Sequence, residues 1–255
     1  MAEWNPAQYL RFSDERLRPA LDLLARVPIE APAHVVDLGC GAGNVTAILK
    51  ARFPEADVTG VDSSPAMLAK ARAAAPDCRF VEGGFETWEP DAPPDLLFSN
   101  AALHWTGEHE TLFPRLLACV AQGGWLAVQM PAMHDAPLRR LQPEIAAAGP
   151  WAPALRGLVS ARAILDPGEY WDILKPHAAS LELWETIYLH VLTGPDAVGE
   201  WAAGSSLRPF LDPLPDELRA GFRRAYAAAM AEHYPRRADG TTLLPFRRLF
   251  LLARR

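Results

Sequence analysis

Two acids and three glycines at fixed spacing carry the first chemical signal in this chain. Asp37 stands two residues before Gly39, Gly41 and Gly43 follow, and Asp62 closes the next apolar run. Glycines at a strand-to-helix turn let the backbone approach a ligand without a Cβ in the way, and the free amides of the next helix face the same ligand. A dinucleotide loop wants G-x-G-x-x-G, but the last glycine of that pattern is replaced by Asn44 and the spacing is G-x-G-x-G. A carboxylate at Asp37 repels a pyrophosphate and pairs with an ammonium group. Asp62 lies where an acid takes both hydroxyls of a ribose, about 20 residues beyond the loop. Together the two acids favour S-adenosyl-L-methionine over NAD as the ligand.

A second group of candidates follows the fourth apolar run, at Asn100-Ala101-Ala102-Leu103-His104-Trp105. His104 can orient a substrate, act as a base, or simply hydrogen-bond locally. Trp105 suits a pocket wall, with its ring available to a sulfonium. Residues 200–255 hold ten arginines and no lysine against six acids, about +4 in a chain of net charge −6. Arginine forks grip carboxylates bidentately, so a small polycarboxylate is a sensible substrate. Arg208 and Arg248 stand out because each lies among apolar residues (Leu207, Pro209, Phe210; Phe246, Leu249, Phe250), where an unpaired charge is costly.

Composition excludes several classes. The acidic balance, with pI near 5.7, argues against nucleic acid as a partner. No apolar run approaches the roughly 20 residues of a membrane span. The N-terminus lacks the regions of a signal peptide, which points to a cytoplasmic location. Cys40, Cys78 and Cys119 are isolated, so neither a disulfide frame nor a metal site is indicated. Cys40 reads as a small filler in the loop.

The elements that must position these residues alternate. Apolar periodicity predicts a helix over 13–26, then strand 34–38, helix 43–52, strand 57–61, helix 65–75, strand 79–82, strand 95–99, helix 108–119 and strand 124–130. Alternating βα units imply a parallel sheet covered on both faces. Ser64-Pro65 is a helix start, a capping serine before proline at the first helical position. Beyond Pro131 the regularity fails, 195–234 reads as helix, and 181–192 and 246–253 read as the last pair of strands. The expected organisation is an N-terminal lid and helix over 1–30 and a cofactor-binding sheet from 31–134 with 179–193 and 244–255. A helical cap from 135–178 and 194–243 is expected over the substrate side.

With these segments in view, the chain resembles the trans-aconitate 2-methyltransferases of the class I S-adenosylmethionine-dependent family, nearly end to end. The likeness is carried by Trp4-Asn5-Pro6 with Tyr9, Phe12 and Glu15-Arg16; by Asp37-Leu38-Gly39-Cys40-Gly41 with Gly43-Asn44; and by Asp62-Ser63-Ser64-Pro65-Ala66-Met67-Leu68. It continues in Ala127-Val128-Gln129-Met130-Pro131, Leu207-Arg208-Pro209 and Arg248-Leu249-Phe250. The resemblance implies a Rossmann-like α/β fold with seven strands in the order 3-2-1-4-5-7-6. It implies methyl transfer to a carboxylate oxygen of trans-aconitate, giving a monomethyl ester; separately, a monomer is expected.

It further implies that Asp37 and the loop (Gly39, Cys40, Gly41, Asn44) hold the methionine end and Asp62 the ribose, with Met67 on one adenine face. Ser63, Gly84, Phe85 and Asn100 complete the cofactor set. Tyr9, His104, Trp105, Arg208 and Arg248 become the substrate-orienting set, with no base required. Two departures stand out: Gly84 where an acid for the adenine amine is usual, with Glu86 as its alternative, and His104 where glutamine is expected. Three rival readings remain: a methyltransferase acting on a hydroxyl or amine with His104 as base, an NAD-dependent oxidoreductase, and a non-catalytic adenosylmethionine-binding subunit.

Overall fold

The computed structural model describes residues 17–158, 164–204 and 206–255. The chain divides into two units, one made of Met1–Pro131, Ala163–Thr186 and Arg248–Arg255, the other of Ala132–Arg162 and Ile187–Arg247. Tyr9 and the N-terminal aromatics of the sequence reading lie outside the described residues. The helix expected over 13–26 is described from α1 (Arg18–Leu24), whose buried face is Pro19, Ala20, Leu21, Leu23 and Leu24.

In the first unit β1 (His34–Leu38), α2 (Asn44–Arg52), β2 (Asp57–Asp62), α3 (Pro65–Ala74) and β3 (Arg79–Glu82) follow one another as alternating βα units. β4 (Leu96–Asn100), α4 (His109–Cys119) and β5 (Trp125–Pro131) continue the pattern, and α6 (Pro167–Leu174) belongs to the same unit. Ser64 caps α3 as expected, its side chain accepting from the Met67 amide, with proline opening the helix. The β1 and β4 strands are near-continuous apolar runs because both faces of their sheet are covered.

The sheet carries seven strands in the order β3-β2-β1-β4-β5-β7-β6, the order that the resemblance implied. Here β6 is Ser180–Thr193 and β7 is Thr241–Arg254. β1 to β5 are parallel where they pair, and β7 runs antiparallel to β5. Both final strands are longer than their apolar runs suggested, because β7 continues back through an exposed Pro245 to Thr241.

The second unit contains α5 (Pro137–Ala148), α7 (Ala197–Ala203), α8 (Arg208–Leu211) and α9 (Asp216–His233). The stretch expected to be helical over 195–234 is thus three helices, the last two separated where Pro213 and Pro215 remove backbone donors. Trp151 packs edge-on to Phe222 at 5.4 Å between centroids. The Tyr226 hydroxyl, buried in the same cluster, donates to the Leu138 carbonyl at 2.6 Å.

Candidate active site

The glycine turn after β1 is held by sterics on two sides. Gly39 has φ of +81°, and a Cβ there would stand 2.2 Å from that of Ala102. Gly43, with φ of +82°, caps α2, and a Cβ there would fall 2.9 Å from the backbone of Ala71 on α3. Gly41 lies between them with nothing within 4 Å of its would-be Cβ, so the middle of the turn opens onto free space. The sequence signal therefore separates into two packing glycines and one open position.

Asp62 ends β2 and faces the same turn. Its carboxylate accepts from the Gly41 amide at 2.9 Å and from the Ser64 amide at 2.9 Å. Two backbone donors fix its orientation and leave the remaining lone pairs for ligand hydroxyls. Ser63 lies between these contacts and Asn44 opens α2. Met67, in the first turn of α3, is 41% exposed and presents an apolar face to solvent.

Asp37 is 1% exposed and receives one side-chain hydrogen bond, from the Thr46 hydroxyl at 2.6 Å. Burial pushes its carboxyl from 3.8 up to about 7; the Thr46 bond pulls the other way and the negative charge of Asp62 adds to the rise. A carboxylate so placed gains much from a cation, and the ammonium of an amino-acid ligand is one. The Cys40 thiol, buried beside these acids, is pushed up to about 12, which rules out a thiolate at neutral pH and leaves it a filler.

The loop after β3 is braced from α4. The Arg115 guanidinium donates to the Trp88 carbonyl at 2.9 Å and to the Phe85 carbonyl. Phe85 in turn lies against Gly39, its ring 3.1 Å from where a Cβ would be. Gly84 is within this loop. Glu86, its expected substitute, is exposed and accepts from the Thr106 hydroxyl, which holds its carboxyl below the usual range.

The turn after β4 carries strain. Ala101 has φ of +51°, a region costly to a residue with a Cβ, and its amide donates to the Gln129 carbonyl at 2.9 Å. A short 3-10 turn, Leu103–Trp105, holds His104 and Trp105 with their rings 4.7 Å apart. Trp105 is 69% exposed, so its ring stands out from the protein. The turn is tied down by buried His109, whose Nε2–H donates to the Leu103 carbonyl at 3.0 Å while Nδ1 accepts from the Tyr170 hydroxyl at 2.5 Å. Burial lowers the His109 pKa, so the neutral ring that this arrangement requires is favoured.

The two arginines separate. Arg248 is buried on β7, paired in register with Pro131 of β5. Arg208 opens α8 with its side chain 69% exposed and Asp212 at 3.8 Å. The premise that it sits in apolar surroundings fails, because on a helix its apolar sequence neighbours point elsewhere while Phe210 and Leu211 take the buried side. Thr46 and Arg115 were not singled out from sequence: only the fold shows that a threonine nine residues beyond Asp37 turns back to it. A cavity of about 740 Å³ lies elsewhere in this unit, lined by His34, Asp57, Arg79, Glu82, Trp88 and their neighbours, and none of the acids or glycines of the turn faces it.

A mostly parallel sheet with a glycine turn after its first strand, a braced acid at the end of its second and a buried acid in the first is the cofactor half of a class I methyltransferase. Residues 35–124 match the methyltransferase domain model. In fold the chain is similar to the YcgJ protein of Bacillus subtilis (TM-score 0.61, 14% identity, 95% of this chain and 99% of that one). It is also similar to phosphoethanolamine N-methyltransferase 2 of Haemonchus contortus, solved with S-adenosylhomocysteine (TM-score 0.55, 17% identity, 92% of this chain and 52% of that one). In sequence it is 50% identical over 260 residues to the trans-aconitate 2-methyltransferase of Methylobacterium radiotolerans, covering 100% of this chain and 99% of that protein. It is 43% identical over 254 residues to the one of Yersinia pseudotuberculosis, covering 99% and 98%. The chain belongs to the trans-aconitate 2-methyltransferase family.

Proposed function

We propose that the protein transfers a methyl group from S-adenosyl-L-methionine to a carboxylate oxygen of a small polycarboxylic acid, trans-aconitate first, giving a monomethyl ester. The acceptor is carried by one observation, the end-to-end likeness to relatives named for that substrate. The donor accords with this chain's own residues. Asp37 would meet the ammonium, Asp62 the ribose hydroxyls, and the open side of Gly41 leaves room beside them, with Met67 on the adenine. Gly39, Cys40, Asn44, Ser63, Gly84, Phe85 and Asn100 form the rest of the cofactor wall.

S-adenosyl-L-methionine supplies a methyl carbon on a sulfonium; a carboxylate oxygen forms the new C–O bond as the C–S pair returns to sulfur, giving S-adenosylhomocysteine and the ester. No proton moves, because a carboxylate with a pKa near 4 is ionised at neutral pH. What the protein supplies is alignment and exclusion of water. Buried Arg248 is the cation we assign to a non-reacting carboxylate, and His104 and Trp105 border the acceptor. No helix among the described residues is long and apolar enough to cross a membrane. A monomer in the cytoplasm, with a small acid as its partner and neither nucleic acid nor membrane, completes the reading.

Mass spectrometry of products from the protein, S-adenosyl-L-methionine and a panel of di- and tricarboxylates tests it. The expected product is a single ester on trans-aconitate or a close analogue, with a rate flat above pH 6 when S-adenosyl-L-methionine is saturating. A rate that climbs through the histidine range and is lost in His104→Ala, with product only on a hydroxyl or amine, would replace this acceptor by the second reading.

A further inference from the structure

Strand register places a row of polar side chains on one face of the sheet. Asp37 pairs with Gly60 and Phe98, Asn100 with Gln129, Gln129 with Phe250, and Pro131 with Arg248. Laterally paired residues share a face, as do residues two apart along a strand. Asp62, Asp37, Asn100, Gln129 and Arg248 therefore all stand on the same side, near the carboxyl ends of β2, β1, β4 and β5, where ligands of open α/β sheets bind. Neighbouring strands are about 4.8 Å apart, so Gln129 lies one strand from Asn100 and two strands from the acid assigned to the cofactor.

Gln129 is fully buried, and neither its Nε2 nor its Oε1 has a hydrogen-bond partner among the described residues. The Asn100 Oδ1 next to it in register is also without one. A buried amide with its donor and its acceptor both unspent is destabilising in a core. Leucine or methionine would serve β5 better if packing were the only demand. Between Asn100, on the donor side, and Arg248, on the far side, Gln129 is the neutral side chain of the row able to donate to an anion.

We infer that Gln129 is an acceptor-binding residue: its Nε2 donates to a carboxylate of the acid while Arg248 holds another, so that the pair selects acceptors bearing at least two carboxylates. The inference rests on the methyl-transfer reading. Its chemistry requires a neutral donor at 129, since a second cation beside Arg248 would bind the acid more tightly in the ground state than the transition state repays, whereas an amide orients without adding charge.

The test compares Gln129→Met and Gln129→Glu with the native enzyme. It measures KM and kcat for trans-aconitate, calorimetric affinity for S-adenosyl-L-methionine, and thermal midpoints. Gln129→Met should raise KM about 10- to 100-fold, the loss of a hydrogen bond to a charged group. Cofactor affinity should stay within about twofold, and the midpoint should be equal or higher, since an unspent buried amide has been removed. Gln129→Glu should be worse at pH 8 and recover as pH falls, because the introduced carboxyl can donate when protonated, whereas its anion repels.

An unchanged KM, a parallel loss of cofactor affinity, or a lowered midpoint with KM intact would overturn the assignment, the last two by making Gln129 a cofactor or packing residue. Native enzyme that esterifies no acid of the panel would sink the parent reading instead, a result visible before any variant is made.

Discussion

Replacing Asp37 by asparagine should make the ligand-free protein more stable and the cofactor complex weaker, with both effects set by pH. In the folded chain the Asp37 carboxyl sits at about 7 against 3.8 for the free side chain, with burial as the largest cause. Because the folded pKa is the higher, its contribution to stability is fully present below 3.8 and is lost as pH climbs to about 7. Integrated with a pKa unit worth about 1.4 kcal/mol, the native protein loses about 2.6 kcal/mol between pH 5 and pH 8 through this group alone. The substituted amide carries no charge and can still accept from Thr46, so the variant escapes that loss. Urea titrations of both proteins at pH 5 and 8 should show a stability gap that widens by about 2 to 3 kcal/mol toward the higher pH.

The ligand reverses the sign. An ammonium beside Asp37 favours its anion, so binding must expel the proton wherever the free protein holds one. Native affinity for S-adenosyl-L-methionine should then tighten as pH rises from 5.5 to 7, by at most tenfold per unit, and level off beyond. Calorimetry in two buffers of different ionisation heat should count up to one proton released at pH 6. The asparagine variant should bind more weakly above pH 7, with a flat profile and no proton released. Parallel profiles for the two proteins, or a stability gap that does not change with pH, would refute the pairing of Asp37 with the ammonium.

Other substitutions test the remaining parts. Arg248→Ala, which removes a buried cation, should raise KM for trans-aconitate on the order of 100-fold with cofactor affinity nearly unchanged in calorimetry. Arg208→Ala should change KM by less than about threefold, since an exposed pair with Asp212 contributes little. Gly39→Ala meets both a positive φ and a 2.2 Å clash with Ala102. It should lower the thermal midpoint by several degrees and abolish cofactor binding in the same calorimetric cell.

The contrast between the two arginines shows what a linear sequence can and cannot convey. Arg208 and Arg248 have the same kind of neighbours in the chain, but one lies on a helix and the other on an interior strand. On α8 consecutive residues point in different directions, so Leu207 and Phe210 can be buried while the arginine between them is in solvent. On β7, flanked by β5 and β6, both faces are covered and residues of either parity are inside. The cofactor turn was legible because its demands are local: an apolar strand, glycines where a Cβ collides, and an acid at a strand end. The Asp37 partner, the Arg115 brace and the Tyr170 hydroxyl bonded to His109 join residues 9, 30 and 61 apart, and nothing local announces such pairs. Gln129 was visible only as part of a likeness; its unspent amide needs the packed sheet to be seen.

That the acceptor side is neutral or cationic while the donor side is anionic follows from the reaction. Methyl transfer from a sulfonium to a carboxylate brings a cation and an anion together and ends with two neutral groups, so charge is lost on the way to the transition state. A site that stabilised the separated charges strongly would bind the ground state and slow the step. The sheet places its two acids on β1 and β2, with Asp37 proposed for the ammonium, a remote part of the donor that keeps its charge throughout. The one arginine of the row, on β7, stands three strands across and four residues along from Asp37, roughly 20 Å away, and the carboxylate proposed for it also keeps its charge. Between them, where charge is annihilated, β4 and β5 present Asn100 and Gln129, two neutral amides. Fixed charges at the ends and neutral donors in the middle hold both substrates in line without holding the reacting pair apart, which is the arrangement that alignment alone requires of an enzyme with no proton to move.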